Sequence, residues 1–270
     1  MIYISGNQPD ILDLLKEYPL NSVESLVLKK MSDSEMHYRY DNLKQLRFEL
    51  KMRQEIVNAA HALNKSGMGF DVFHKSKCNE DYWFRTDNGG FRLKSGIKGS
   101  DAINDIYQNG RKYKTECATA MVIVIYKALL NVFGEALFNK AFSTIYLMNW
   151  HALDPVIREF GSPREAGDIL PGDRAYFKNP DVDPKTPELQ GENVIVLPGN
   201  LYYGHGIGIT NGKRIIRVLN SNRRKDATRT AYLMSTVSRL NFKRLSELYY
   251  SNLSQITSLQ SGTHIYPYRA

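Results

Sequence analysis

The chain has 270 residues, of which 42% are hydrophobic and 24% charged, a composition typical of a globular protein with a sizeable core. Its formal net charge of +8 raises nucleic acid as a partner. No zinc-finger spacing or aromatic-glycine strand signature accompanies the basic residues, so a solvated basic face is favoured over a nucleic-acid site. The longest apolar run, residues 118–126, is shorter than the roughly 20 residues that a membrane-spanning helix requires. The N-terminus lacks signal-peptide features, so we expect a soluble protein with no membrane partner.

Helical patterns dominate the first half of the chain. "DNLKQLRFELKMRQEIVNAAHALNKSG" predicts a long amphipathic helix that opens with Asp41 as its cap and stops at Gly67. "DYWFRTDNGGFRLK" predicts a β-hairpin, and "SDAINDIYQNG" predicts a short helix capped by Ser100 and ended near Gly110. Residues 117–132 are apolar on nearly all sides, which indicates a helix buried in the middle of the fold. "GEALFNKAFSTI" predicts another helix directly after it.

Strand patterns dominate the second half. The predicted strands are "IYLMNW", "RAYFKN", "NVIVL" and "HGIGIT", the last joined through an Asn211-Gly212 turn to a further strand, "KRIIRVL". Because helices come first and strands later, the sequence predicts an α+β fold rather than alternating βαβ units. We expect one domain over residues 1–250 and a loosely ordered tail, rich in Ser and Gln, over residues 251–270.

Cys117 is the first candidate for chemistry. The chain has two cysteines, Cys78 and Cys117, which are too few for a disulfide framework. Cys117 lies at the predicted start of the apolar helix, where unpaired N–H groups and the helix dipole favour a thiolate. The adjacent Glu116 would oppose the thiolate or act as a nearby base. An inert core cysteine is the alternative, and Cys78 with His74 lacks the second pair of ligands that a zinc site needs.

His205 is the candidate general base. It lies between two glycines at the start of a predicted strand, which leaves space around the imidazole. The chain order of Cys117 and His205 fits a papain-like dyad, although a structural histidine is the alternative. Glu192 begins the preceding predicted strand, so it would lie beside His205, whereas Asp173 in a Pro-Gly-Asp turn is a competing acid with a simpler turn role. The glycines around His205 do not indicate a dinucleotide site, because a hairpin turn rather than a helix is predicted after them.

Five motifs carry a family resemblance. "KTECATAMVIVIY", "IYLMNWH", "LPGDRAYFKNPDVDP", "GENVIVL" and "YYGHGIGITNGKRIIRVLNS" resemble, in that order, the spore-coat protein-glutamine γ-glutamyltransferases of spore-forming bacilli, over about residues 1–250. The resemblance implies a papain-like cysteine-enzyme core, with helices packed on an antiparallel β-sheet and the catalytic cysteine at a helix N-terminus. It also implies that Cys117 carries the acyl group and that Glu192, Glu116 and His205 match the other catalytic positions.

Four aromatic residues are candidates for binding substrate. Trp150 and Phe70 match aromatics that the family places at the mouth of the active site, with core packing as the alternative. Together with Tyr202 and Tyr203 they could line an apolar channel that admits a lysine side chain and excludes water. The chain departs from the family pattern at residues 189–190, where an aromatic is expected, and in its longer tail.

The expected reaction joins proteins through their side chains. The Cys117 thiolate attacks the γ-carboxamide of a glutamine, ammonia leaves, and a lysine amine resolves the thioester to an isopeptide, with the Cys117 N–H as a candidate oxyanion donor. No metal, calcium or nucleotide cofactor is expected. The resemblance implies protein substrates in the spore coat, synthesis in the mother cell without a signal peptide, and deposition on the coat. The alternatives are a papain-like cysteine peptidase or amidase acting on cell-wall peptides, and a catalytically inactive, basic spore-coat binding protein.

Overall fold

Helices form most of the first half of the chain. The structure, a computed structural model, describes residues 1–150 and 152–261. The helices are α1 (Ile11–Leu15), α2 (Val23–Asp33), α3 (Leu43–Lys65), α4 (Gly99–Gln108), α5 (Cys117–Ala141), α6 (Gly212–Asn220) and α7 (Phe242–Ser261).

Two predicted helix caps are corrected by the structure. Asn42, not Asp41, caps α3 by accepting the N–H of Gln45, because the Asp41 carboxylate pairs instead with Lys243 at 2.7 Å. Helix α4 begins at Gly99, which places Ser100 inside its first turn rather than at its cap. Helices α3 and α4 themselves lie where the sequence predicts them.

The strands form one six-stranded sheet and three small sheets. The six-stranded sheet has the order β12 (Gly208–Asn211), β11 (Leu201–Gly204), β10 (Gly191–Leu197), β9 (Arg174–Lys178), β13 (Tyr232–Ser238) and β8 (Arg164–Glu165), and all neighbours are antiparallel. The small sheets are the parallel pairs β1 (Ile2–Ile4) with β2 (Tyr38–Tyr40) and β3 (Gly69–Phe70) with β6 (Lys114–Thr115), and the antiparallel set β4 (Trp83–Arg85), β5 (Phe91–Leu93) and β7 (Tyr146–Leu147). The predicted hairpin is therefore formed by β4 and β5.

Helix α5 runs through the centre of the fold. Its side chains are buried on nearly all sides, as the sequence predicts. At Gly134 the backbone takes φ 73° and ψ 163°, so the helix kinks where the sequence predicts a second helix. Helix α5 is long and apolar enough to cross a membrane, contrary to the length argument from the apolar run, but 78% of its most apolar window is buried inside the protein. It is a core helix.

The six-stranded sheet is covered by helices on both faces. On one face α3 and α5 pack against each other and against β10, where Ile195 and Tyr203 join the main core. On the other face Ile215 and Leu219 of α6 pack against Phe177. The fold is therefore α+β, with helices packed on an antiparallel sheet.

Helix α6 replaces the strand predicted from "KRIIRVL". Asn211 caps it by accepting the N–H of Arg214, and Ile215 and Leu219 bury one face at a spacing of four residues. The β-branched residues of this segment favoured a strand from sequence, but burial of one helical face decides the structure. A helix thus does follow the glycines around His205, and the reason given against a dinucleotide site was wrong. Those glycines instead connect the antiparallel strands β11 and β12.

The last helix extends into the segment predicted as a tail. Helix α7 continues to Ser261, so residues 251–261 are helical. The remainder of the predicted tail, residues 262–270, lies outside the described residues.

Candidate active site

Cys117 is the first residue of α5 and lies in a cleft. The cleft has a volume of about 470 Å³, and Cys117 is partly exposed in it, whereas Cys78 is buried elsewhere. Much of the wall is aromatic, from Phe70, Phe73, Trp150 and Tyr176. The cleft therefore presents one thiol within a largely apolar surface.

Asn193 is the hydrogen-bond partner of the thiol. Its Nδ2 donates to Cys117 Sγ at 3.5 Å, and its Oδ1 accepts from Nη1 of Arg174 at 2.8 Å. Asn193 on β10 lies opposite Tyr176 on β9, two residues from Arg174, so all three side chains project from the same face of the sheet. Sequence reasoning missed Asn193 and Arg174, although Asn193 directly follows the predicted acid Glu192.

Glu116 caps the helix that carries the thiol. Its carboxylate accepts the N–H of Thr119 at 2.7 Å and the N–H of Ala118. The sequence predicts that unpaired N–H groups of the first helical turn stabilise a Cys117 thiolate, but Glu116 accepts two of them. Burial raises the pKa of Glu116, and the hydrogen bonds from Thr119 and Ala118 oppose that rise. Glu116 directly precedes Cys117 and is the N-cap residue of α5. Acidic side chains stabilise helix N-termini, which explains why an acid precedes the cysteine.

The thiol is neutral at rest. Burial raises the pKa of Cys117, and the negative charges of Glu192 and Glu116 raise it further, while hydrogen bonds from Asn193 lower it. The structure does not support the predicted helix-end activation, because Glu116 accepts the first-turn N–H groups of Ala118 and Thr119. Burial also raises the pKa of Cys78, to about 11.

Glu192 is a buried acid that interacts electrostatically with the thiol. Burial raises its pKa well above the ordinary value, and the charge of Glu116 adds to the rise, whereas the main-chain N–H of His205 opposes it. Within the described part of the chain, Glu192 Oε1 has no hydrogen-bond partner. Burial therefore favours the protonated form of Glu192, and Oε1 is the oxygen left without a partner.

His205 does not form the predicted dyad with Cys117. Its Nε2 lies 3.0 Å from the carbonyl oxygen of Gly69, and its Nδ1 lies 3.1 Å from the hydroxyl of Tyr203. A carbonyl can only accept, so Nε2 carries the proton and Nδ1 accepts from Tyr203. Burial lowers the pKa of His205 to about 4, which keeps the ring neutral. Glu192 does lie beside His205, but it meets the main-chain N–H rather than the imidazole.

The four predicted substrate-binding aromatics divide into two pairs. Trp150 and Phe70 line the cleft with Cys117. Tyr203 is 1% exposed in the main core, and Tyr202 packs edge-on against Phe177 at 5.2 Å on the opposite face of the sheet. Consecutive strand residues point to opposite faces, so these two tyrosines could not both face one channel. Neither lines the cleft, which corrects their predicted role.

A second cleft adjoins the first. It has a volume of about 330 Å³ and shares Trp150, Tyr176 and Asn193 with the cleft that holds the thiol. Arg174 lines this second cleft only. In residues 1–150 and 152–261, no group of three or more His, Cys, Asp or Glu side chains is arranged to hold a metal ion.

Comparison with known proteins identifies one family throughout. The family model described as protein-glutamine gamma-glutamyltransferase matches residues 1–249. The protein of that name from Bacillus subtilis (strain 168) is 41% identical over 246 residues, which cover 91% of this chain and 98% of that protein. The one from Halalkalibacterium halodurans is 38% identical, over 89% of this chain and 83% of its own length. Among solved structures, a transglutaminase from Geobacillus stearothermophilus, without its C-terminal extension, matches with a TM-score of 0.73 and 45% identity, over 77% of this chain and 98% of that one.

Proposed function

The chain belongs to the protein-glutamine γ-glutamyltransferase family and is a transglutaminase, and we propose that Cys117 at the N-terminus of α5 carries its acyl group within a papain-like core. The enzyme acts on protein substrates: it transfers the γ-glutamyl group of a glutamine side chain to an amine and releases the carboxamide nitrogen as ammonia. The observation that supports the role of Cys117 is its place in the aromatic cleft, since the second cysteine, Cys78, is buried elsewhere.

In the first half-reaction, Cys117 Sγ forms a bond to the carboxamide carbon and the C–N bond breaks. Because the resting thiol is protonated, its proton must reach the leaving nitrogen for ammonia to depart. We assign the relay to Glu192, because it is buried, its negative charge raises the pKa of the thiol, and its Oε1 has no hydrogen-bond partner among the described residues. Glu116 holds the start of α5 in place and keeps the Glu192 proton bound by its negative charge.

In the second half-reaction, an amine nitrogen attacks the thioester carbon and the C–S bond breaks. One amine proton returns to sulfur through Glu192, which restores the neutral thiol and the neutral acid. The main-chain N–H of Cys117 is the proposed donor to the oxyanion, since Glu116 caps the N–H groups of Ala118 and Thr119 instead. Phe70 and Trp150 exclude water from the thioester and hold the apolar stem of the lysine.

We further propose that the substrates are spore-coat proteins and that the enzyme is deposited on the coat after synthesis in the mother cell. The similarity to transglutaminases of Bacillus subtilis and Bacillus cereus, which are spore-forming bacteria, supports this setting. Spores that carry Cys117→Ala in place of the native chain should contain fewer isopeptide cross-links in their coat extracts than spores that carry Cys78→Ala. Equal cross-linking in the two would overturn the coat assignment.

The activity is tested by incubating the purified protein with a glutamine donor peptide and a labelled primary amine. We expect ammonia release with amine incorporation, undiminished by a calcium chelator, and loss of both with Cys117→Ala. Cys78→Ala is the matched control, because it removes a thiol of similar size that lies outside the cleft. Release of soluble hydrolysis products without amine incorporation would indicate a peptidase or amidase and would contradict transfer.

A further inference from the structure

Arg174 is a buried cation whose hydrogen-bond partners are all neutral. It is 6% exposed, and its guanidinium donates to the Phe160 carbonyl at 3.2 Å, to Asn193 Oδ1 at 2.8 Å and to the Ser238 hydroxyl. Its charged carbon lies 4.0 Å from the centre of the Trp150 ring. Each of the three guanidinium nitrogens thus has a hydrogen-bond partner, but none of these contacts supplies an anion.

Two other arginines, the buried Arg53 and the half-buried Arg239, are paired with acids. Arg53 lies 2.9 Å from Glu49 and 2.8 Å from Asp173, and Arg239 lies 2.9 Å from the same aspartate. A buried charge without a counter-ion costs several kcal/mol, which is why such pairing is the rule. Burial lowers the pKa of Arg174 to about 10, and among the described residues the negative charge that opposes this shift is that of the Cys117 thiolate. That anion is absent at rest and arises during the reaction.

We propose that Arg174 is a positioning residue for acyl transfer, which fixes the Asn193 amide so that its NH₂ group faces Cys117 Sγ and which balances the negative charge that develops on sulfur. The proposal rests on the proposed role of Cys117 as the acyl carrier. It assigns a function to a side chain that does not itself contact the thiol.

The guanidinium fixes the amide because it can only donate. Asn193 Oδ1 must face Arg174 to accept its hydrogen bond, and this leaves Nδ2 as the group that faces the sulfur at 3.5 Å. Without Arg174 the amide could rotate and present its oxygen, which repels a thiolate. The donor matters most when the C–S bond breaks and its electron pair goes to sulfur, since hydrogen bonds to charged atoms are roughly twice as strong.

Other titratable groups around the sulfur act differently from Arg174. Glu116 before α5 and Glu192 on β10 raise the thiol pKa when they are charged. Burial raises the pKa of Tyr176 on β9 to about 12, so that side chain remains neutral. His74 and Glu188 also line the cleft that holds the thiol. Arg174 is the buried cation of this set, so its removal should shift thiol ionisation in one direction.

The test measures how the rate of iodoacetamide alkylation depends on pH, in a Cys78→Ala background in which only Cys117 reports. We expect Arg174→Met to raise the midpoint by about one pH unit or more, in the range seen when a nearby opposite charge is lost. Arg174→Lys keeps the positive charge but loses the planar guanidinium that donates several hydrogen bonds, so it should shift the midpoint less than Arg174→Met does. Amine transfer should fall in kcat with little change in KM for the amine, because the residue lies outside the thiol cleft.

A double-mutant cycle separates positioning from a simple charge effect. If Arg174 acts through Asn193, the shift in Arg174→Met/Asn193→Ala is smaller than the sum of the two single shifts. An unchanged midpoint in Arg174→Met overturns the proposal, and additive shifts overturn its positioning part. Near-ultraviolet circular dichroism shows whether Arg174→Met folds. If it does not, the alkylation midpoints of Arg174→Lys and Asn193→Ala test the proposal, and unchanged midpoints in both would overturn it. Alkylation measures the ionisation of Cys117 and does not depend on transferase activity. If the wild-type protein has no transferase activity, the proposed function is contradicted, but the alkylation test of Arg174 can still be carried out.

Discussion

Replacing Glu116 by glutamine should make Cys117 more reactive while making the enzyme slower. The Glu116 carboxylate raises the pKa of the Cys117 thiol and also that of Glu192. Glutamine keeps the size of the side chain and one oxygen that can accept the N–H of Thr119, but it removes the charge. The thiol should then ionise more readily, and Glu192 should bind its proton less tightly.

The size of the effect follows from the charges around the sulfur. A unit charge at roughly 6 Å contributes about 3 kcal/mol at an effective dielectric constant of about 20. Part of this is offset, because a Glu192 that ionises more easily repels the thiolate in turn. We therefore expect the thiol pKa to fall by about one unit, which gives about tenfold more thiolate at any pH below it. The lost capping bond should lower the free energy of unfolding by about 1 kcal/mol.

The two readouts should move in opposite directions. At neutral pH, iodoacetamide should label Cys117 about ten times faster in Glu116→Gln than in the wild type, while amine incorporation falls because the Glu192 proton is less available. Ser22→Ala is the matched control, since it removes the cap of α2 at a comparable cost in stability and should leave alkylation unchanged. Alkylation that is equal or slower in Glu116→Gln would show that the carboxylate does not raise the thiol pKa.

Three further outcomes follow from the same structure. Alkylating reagents should label Cys117 faster than Cys78, because Cys117 lies in an open cleft and not because it is ionised, and equal rates would contradict this. Trp150→Ala or Phe70→Ala should raise the ratio of glutamine hydrolysis to amine incorporation, measured as ammonia release against labelled-amine uptake; a proportional fall in both would contradict water exclusion. The pKa of His205 falls from 6.5 to about 4 on folding, so the unfolded chain binds the extra proton. Its contribution to the free energy of unfolding is therefore complete above pH 6.5 and is lost as the pH falls to about 4, by about 3 kcal/mol in total, and His205→Asn should flatten this dependence in denaturant titrations.

Local patterns predicted the elements whose signals were consistent along the chain. The Asn-Gly-Gly turn predicted the hairpin of β4 and β5, and the apolar run after Cys117 predicted the buried helix α5. The segment after Asn211 was read as a strand because it is rich in β-branched residues. Its helix depends on packing of Ile215 and Leu219 against the sheet, which local sequence does not show.

The electrostatics of the site could be predicted only in part. The sequence placed Cys117 at a helix N-terminus and Glu116 before it, but it did not show that the carboxylate would occupy the first-turn N–H groups. The preference of acidic side chains for helix N-caps is the sequence signal that could have predicted this role of Glu116. The contact between Asn193 and Arg174 depends on the register of β10 against β9, which no local pattern specifies.

The thiol at rest holds its proton, and charges of opposite sign act on it. Glu116 at the start of α5 raises the thiol pKa, and the proposed role of Arg174 on β9 is to lower it through Asn193. Both influences strengthen when a substrate displaces water from the cleft, since the local dielectric constant falls. A neutral thiol in an open cleft is a poor target for oxidants, because these react with the thiolate. In the proposed mechanism the sulfur loses its proton only as it attacks a carboxamide, so it is protected from oxidants between turnovers.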